Sequence, residues 1–248
     1  MTHEAEAFFD ALDSVPPGAV TACRGWTAHE LIAHLASGAD AFANQIEAHL
    51  AGDPVPEFGA WQDREPPYRA LSDTVLRRRL VAAGQRMDAA FGAMLADDPA
   101  VAVPEIGWGL PVAELVTHMR QEFAIHRWDL LGDDEAGLDL LGQPVLIEHS
   151  VALLAGSLLS GLGADPNPAE VLTARLRCPG SRDLVVRIGD GTGSLSWADP
   201  TDAPGVIETD PAARILLLWG RRPASAARVR STLAPDGLAR LQTVLAGY

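Results

Sequence analysis

The order of apolar and polar residues divides the chain into a helical part and a later part with a different rhythm. The clearest helix runs from Glu114 to Leu130. Stepping about 100° per residue from Leu115 places Met119, Phe123 and Leu130 on one apolar stripe. Glu122 and His126 fall in the middle of that stripe, because residues four apart stack on one helix face. An acid and an imidazole therefore point together towards the expected core.

Other helices precede it. Residues 2–13 predict a short helix with Phe8, Phe9 and Leu12 inward, ended by Val15-Pro16-Pro17-Gly18. Thr27 and Glu30 form a capping box, and Trp26 and Leu31 are spaced as a hydrophobic staple. The helix they open runs to about Leu50 and stops at Gly52-Asp53-Pro54. Its stripe is Leu31, Leu35, Phe42 and Ile46, with His34 about 60° from the stripe centre. His29 falls on the opposite, solvent side. His49 lies on the apolar side, but about 22 Å along the axis from His34. Residues 53–70 read as a long Pro- and acid-rich connection. A third helix spans Ser72 to Leu95, with Leu76, Leu80, Met87, Phe91 and Met94 at helical spacing and Arg77, Arg78 and Arg79 on a solvated face. The loop through Gly107-Trp108-Gly109 leads to Pro111, which suits a first helical turn. A further helix spans about Pro144 to Leu162.

After Gly161 the texture changes. Residues 164–168 read as a linker, followed by alternating segments at Thr173–Cys178, Asp183–Ile188, Ser194–Trp197 and Gly205–Thr209. These predict a small antiparallel sheet, with a hairpin at Gly189–Gly193. That Gly-rich turn lacks the strand–loop–helix setting and the Lys-Ser/Thr ending of a phosphate loop. Asp210-Pro211 caps a helix through Trp219, and a last helix follows Pro235. The fold class is mainly α with a smaller α+β domain: a four-helix bundle over residues 1–164 and an α+β domain over 165–248.

Composition narrows the function. A net charge of −14 disfavours nucleic acid. No apolar run is long enough for a membrane span, and the acidic, amphipathic start is unlike a signal peptide. A cytoplasmic monomer is expected. All 19 basic residues are arginine, which reflects coding bias rather than chemistry. Cys23 and Cys178 lie far apart and form neither a disulfide framework nor a Cys-x-x-Cys metal motif.

The remaining chemistry is a metal constellation. A buried charge is costly unless it is paired or holds a metal. Glu122 could instead pair with Arg120 or Arg127, and His126 could be a hydrogen-bonded core histidine. In a bundle, however, inward residues of different helices converge. His34 with Glu122 and His126 gives a His₂Glu set, which leaves one position open, as catalytic zinc requires. His118, one turn before Glu122, is a further neighbour.

These same segments carry a family resemblance. Trp26-Thr27-Ala28-His29-Glu30-Leu31-Ile32-Ala33-His34-Leu35 resembles the W-[ST]-x-x-[ED]-[LV]-x-x-H-[LV] segment of the DinB-like superfamily. Glu122 to Leu130 resembles the E-x-x-x-H-x-x-D-[LV] segment of its mycothiol-dependent maleylpyruvate isomerase branch. The similarity extends to Leu216-Leu217-Leu218-Trp219-Gly220-Arg221. It implies a metal-binding bundle joined to a sterol-carrier-like α+β domain, with His34, Glu122 and His126 as zinc ligands. It also implies that Arg221, with Arg222 beside it, binds substrate or thiol anions. Zn²⁺ and mycothiol are the implied cofactors, and a small molecule is the implied substrate. The implied reaction is thiolate addition to an electron-poor carbon such as that of maleylpyruvate, rotation, and expulsion of the thiolate. If the thiol is retained, the reaction becomes S-transfer. A non-enzymatic small-molecule binder with a structural or vestigial metal is the alternative. A zinc hydrolase using His118 or Asp129 as base ranks third.

Overall fold

The structure, a computed structural model, describes residues 1–155, 165–199, 205–223 and 225–245. By internal packing the chain divides into two units, Met1–Leu131 and Gly132–Tyr248. The change in sequence texture lies later, near residue 165.

The first unit is built on four long helices: α1 (His3–Asp13), α2 (Ala28–Ala51), α5 (Asp73–Asp97) and α6 (Val112–Leu131). The Thr27–Glu30 capping box starts α2, and Gly52, at φ 75°, ends it in the left-handed conformation that glycine tolerates best. α2 packs along α5, α1 packs along α6, and α6 also touches α5 and α2. The predicted stripes form the core. Leu31, Leu35, Phe42 and Ile46 of α2 are buried, as are Leu76, Leu80, Met87, Phe91 and Met94 of α5. Leu115, Met119 and Phe123 of α6 join the same cluster, and Phe8 meets Phe123 edge to face at 5.6 Å.

The segment expected as a plain connection carries two short helices, α3 (Trp61–Arg64) and α4 (Pro66–Arg69), which pack on α2. Pro66 and Pro67 break the periodicity by which helices are recognised, yet Pro suits a first helical turn. Two further expectations give way. His29 is not a solvent histidine, because its Nε2 lies 3.1 Å from the Arg69 carbonyl. His49, placed on the apolar side, is exposed near the end of α2. Arg79 also does more than face solvent: its Nε donates at 2.7 Å to the buried Asp40.

The second unit holds α7 (Glu135–Leu141), α8 (Pro144–Leu153), a five-stranded sheet, α9 (Pro211–Leu218) and α10 (Pro235–Leu245). The last part of the helix expected to reach Leu162 lies outside the described residues. The strands are β1 (Leu172–Arg177), β2 (Asp183–Gly189), β3 (Thr192–Ala198), β4 (Val206–Thr209) and β5 (Val229–Ser231), in the order β3-β2-β1-β4-β5. Asp190 and Gly191, at φ 56° and 71°, make the two-residue hairpin turn whose twist matches its strands. The sheet is mixed rather than antiparallel, because β1 and β4 run parallel. Alternation reports which face a residue takes and carries no information on strand direction. Asp210 caps α9 by accepting from Ala213 N at 2.8 Å. Among the described residues no helix is long and apolar enough to cross a membrane.

Candidate metal centre

α2 and α6 bring three side chains to one point. His34 Nε2 lies 3.1 Å from Glu122 Oε2. His126 Nε2 lies 3.4 Å from the same oxygen. One ligand atom from each of the three residues falls within 4.8 Å of the others. The two rings stand 5.3 Å apart and nearly perpendicular, so both present Nε2 to the carboxylate from different directions. His126 is only 4% exposed. Trp26, at the entry to α2, packs on both: its ring lies 5.1 Å from His34 and stacks at 6.3 Å on His126. The residue that shapes the helix start thus also covers the cluster.

The opposite nitrogen of each ring is held by a second carboxylate. His34 Nδ1–H donates to Glu65 Oε1 at 2.7 Å. His126 Nδ1–H donates to Asp129 Oδ2 at 2.9 Å. Glu65 is 1% exposed and is itself braced by Arg69, whose Nη2 donates to Oε2 at 2.8 Å. Arg69 also reaches Glu30 of the capping box at 2.8 Å and lies over the Trp26 ring. A carboxylate on Nδ1 fixes the tautomer that leaves the Nε2 lone pair for a cation, which is the usual support of metal-ligating histidine.

Charge follows from this geometry. Burial alone raises the Glu122 carboxyl pKa, but hydrogen bonds from His126 and His34 and the charge of His118 outweigh it and hold it well below the usual range. Burial opposes a charged His126, yet its bonds to Asp129 and Glu122 raise its pKa. Burial also pushes Glu65 up, and His34 and Arg69 bring it below the ordinary value. The donor set, two oriented imidazoles and an ionised carboxylate, fits a divalent metal of zinc type. A set of three such donors among the described residues would suit an open site rather than a closed structural one.

The other sequence candidates are placed differently. His118 Nε2 is 4.0 Å from Glu122 Oε1, at the edge of the cluster. Arg120, considered as a partner for Glu122, instead grips Glu4, with Nη2 2.7 Å from its Oε1. Asp129, considered as a base, accepts from His126 Nδ1 through Oδ2 at 2.9 Å. Arg221 and Arg222 belong to the second unit. Arg221 is half-buried and its Nη1 donates to the Trp219 carbonyl at 2.8 Å, while Arg222 is exposed. Glu65 escapes a reading of the sequence. Its one signal is an acid flanked by Arg64 and by Arg69 four residues on, inside a segment with no apolar period.

Comparisons with known proteins bear on the family and the fold. Residues 1–131 match the family model described as mycothiol maleylpyruvate isomerase N-terminal domain. The fold is similar to the crystal structure of the mycothiol-dependent maleylpyruvate isomerase, with TM-score 0.66 and 20% identity over 94% of this chain and 91% of that one. A histidine-to-alanine mutant of that enzyme matches with the same TM-score and coverage at 21% identity. No curated protein sequence matches the chain.

Proposed function

The chain belongs to the mycothiol maleylpyruvate isomerase N-terminal domain family, and on that premise we propose that it is a metal- and thiol-dependent enzyme. The proposed reaction is isomerisation of, or thiol transfer to, a small electrophilic substrate that carries a carboxylate, such as maleylpyruvate. The thiol is mycothiol and the metal is zinc or a similar divalent ion, held by His34, Glu122 and His126. When bound, such a metal supplies an open coordination position that keeps a thiol sulfur as thiolate.

The chain's own residues do the rest. Glu65 and Asp129 keep the Nδ1 protons in place, so neither ring turns its lone pair away. Glu122 supplies the negative charge between the rings. Trp26, with Trp61 edge-on at 5.6 Å, walls one side and limits water. Arg221, aided by Arg222, is proposed to bind a substrate or thiol anion in bidentate fashion. The hydrolase reading is weakened by the engagement of Asp129 with His126. A structural metal in a non-enzymatic binder is weakened by a donor set of three among the described residues, one short of a closed site.

The observation that carries the proposal is the convergence of three ligand atoms within 4.8 Å, both rings being anchored from behind by carboxylates. Elemental analysis of the tag-free chain beside His34→Ala and His126→Ala tests it, followed by a mycothiol-dependent isomerisation assay. About one zinc per chain, lost in both variants, together with thiol-dependent turnover, is the expected result. Zinc without any thiol-dependent activity would favour the binding-protein reading. No zinc, even after its addition, would end the metal assignment.

A further inference from the structure

We propose that Arg64 binds a substrate carboxylate beside the His34–Glu122–His126 cluster. The inference deepens the enzymatic reading and rests on it. It starts from the way this one arginine is held. Arg64 ends α3 with its guanidinium half-buried. Nε donates to Ser37 Oγ at 3.2 Å and Nη1 to the Gly59 carbonyl at 3.0 Å, both neutral acceptors. The plane lies 4.6 Å over the Phe58 ring. Among the described residues no carboxylate pairs with it and no acceptor meets Nη2. Arg69, on the next short helix, instead takes both Glu30 and Glu65.

The unpaired cation sits next to the cluster. Ser37 and Gly38 lie one turn beyond His34 on α2, and a Cβ on Gly38 would stand 3.8 Å from Arg64 Nη2. Glu65 and Glu122 act on Arg64 through space. Both carboxylates are committed elsewhere, Glu65 to His34 and Arg69, Glu122 to the two imidazoles. Once Glu122 ligates a divalent cation its charge is offset locally, and Arg64 remains as a fixed positive group with a donor to spare. A half-buried guanidinium in that position is stabilised by an incoming anion.

The surroundings suit a short unsaturated acid. The Phe58 ring under Arg64 meets Trp108 at 5.1 Å, and Trp108 meets His118 at 5.3 Å beside Glu122. Trp108 holds a left-handed backbone, φ 62°, and leaves 54% of its surface open. Residues held in sparsely populated backbone conformations cluster at active and ligand-binding sites. Buried Gln45 fixes this wall: its Nε2 donates to the carbonyls of Pro56 and Glu105, and its Oε1 accepts from Gly107 N. Together these residues supply an apolar face with one oriented guanidinium at its edge, a pattern of small-molecule recognition.

Calorimetric titration of the zinc-loaded full chain with maleate tests the assignment. The parent is compared with Arg64→Met and Arg64→Lys, each checked for zinc content and thermal unfolding. The expected result is unchanged zinc and folding, with maleate bound roughly ten- to a hundredfold more weakly by Arg64→Met and intermediate binding by Arg64→Lys. Equal maleate affinity in parent and Arg64→Met, or no binding by the zinc-loaded parent, would overturn the proposal and leave Arg64 as a brace on Ser37 and Gly59. A parent that takes up no zinc would instead remove the metal reading. Arg64 is then judged by the same titrations without metal: weaker binding in Arg64→Met supports it, and equal or absent binding overturns it.

Discussion

Glu65 Oε1 accepts a 2.7 Å hydrogen bond from His34 Nδ1 across a sequence separation of 31 residues. That bond ties the short helices α3 and α4 to α2 at the level of the proposed metal site. Because Glu65 is buried and braced by Arg69, it fixes the ring rather than following it. Glu65→Gln keeps the shape and removes the charge. It should weaken zinc binding by about ten- to a hundredfold while the ligands remain. Competition titration against a chelator, with circular dichroism as control, checks this. Undiminished affinity would reduce the pair to a structural strap.

Glycines in this chain answer opposite demands, and alanine separates them. A Cβ on Gly107 would stand 2.4 Å from Leu115 Cδ2, and Gly107 has φ 49°. Gly107→Ala should therefore cost about 1–3 kcal/mol from overpacking, with roughly 1 kcal/mol more from the left-handed backbone. Gly84 lies inside α5, where an added Cβ would meet nothing within 4 Å and φ is not positive. Gly84→Ala should stabilise by about 0.5–1 kcal/mol. Chemical denaturation of both variants gives the signs directly, and a stabilising Gly107→Ala would contradict the close approach of this loop to Leu115.

Asp210 joins a helix cap to an ion pair. It caps α9 through Ala213 N and receives Arg228 on both oxygens at 2.7 Å. Burial pushes its carboxyl up, but the Arg228 bond and the backbone N–H groups lower it below the ordinary value of 3.8. A depressed folded pKa means that its stabilisation is fully present above 3.8 and fades as pH falls through the lower folded value. Asp210→Ala should cost about 1 kcal/mol at pH 7 through the lost cap. Asp210→Asn should lose less, and its deficit relative to the parent should shrink between pH 7 and pH 3. A deficit independent of pH would remove charge from the account.

The legible part of this molecule is its regular part. Helical spacing places Leu115, Met119 and Phe123 in the core, and the Thr27–Glu30 box marks the start of α2. The same spacing puts Glu122 beside His126, while His34, on a different helix, enters the set through its inward bearing and the family resemblance. What stays hidden depends on long-range contact. Glu65 lies among prolines where no period exists, and its role appears only once α2 is beside it. Strand β5 is three residues long and pairs with β4, too short for alternation to show. Trp108 takes a left-handed backbone that its own propensity disfavours, next to Gly107, whose N–H is held by Gln45 62 residues away.

Metal binding should also be visible as stability. A ligand that binds only the folded form adds RT ln(1 + [L]/Kd), about 2.7 kcal/mol at a hundredfold excess over Kd. Zinc should thus raise the unfolding temperature of the parent and leave Glu122→Ala unmoved. The variant loses the charge on which both imidazoles converge, so the metal is left with two neutral ligands. Without added zinc the two proteins should differ much less, because Glu122 is balanced by neighbouring histidines rather than packed as an apolar core residue. Differential scanning calorimetry, with and without zinc, separates the two contributions. Equal zinc-induced shifts in parent and variant would place the stabilising ion elsewhere and exclude Glu122 as a ligand.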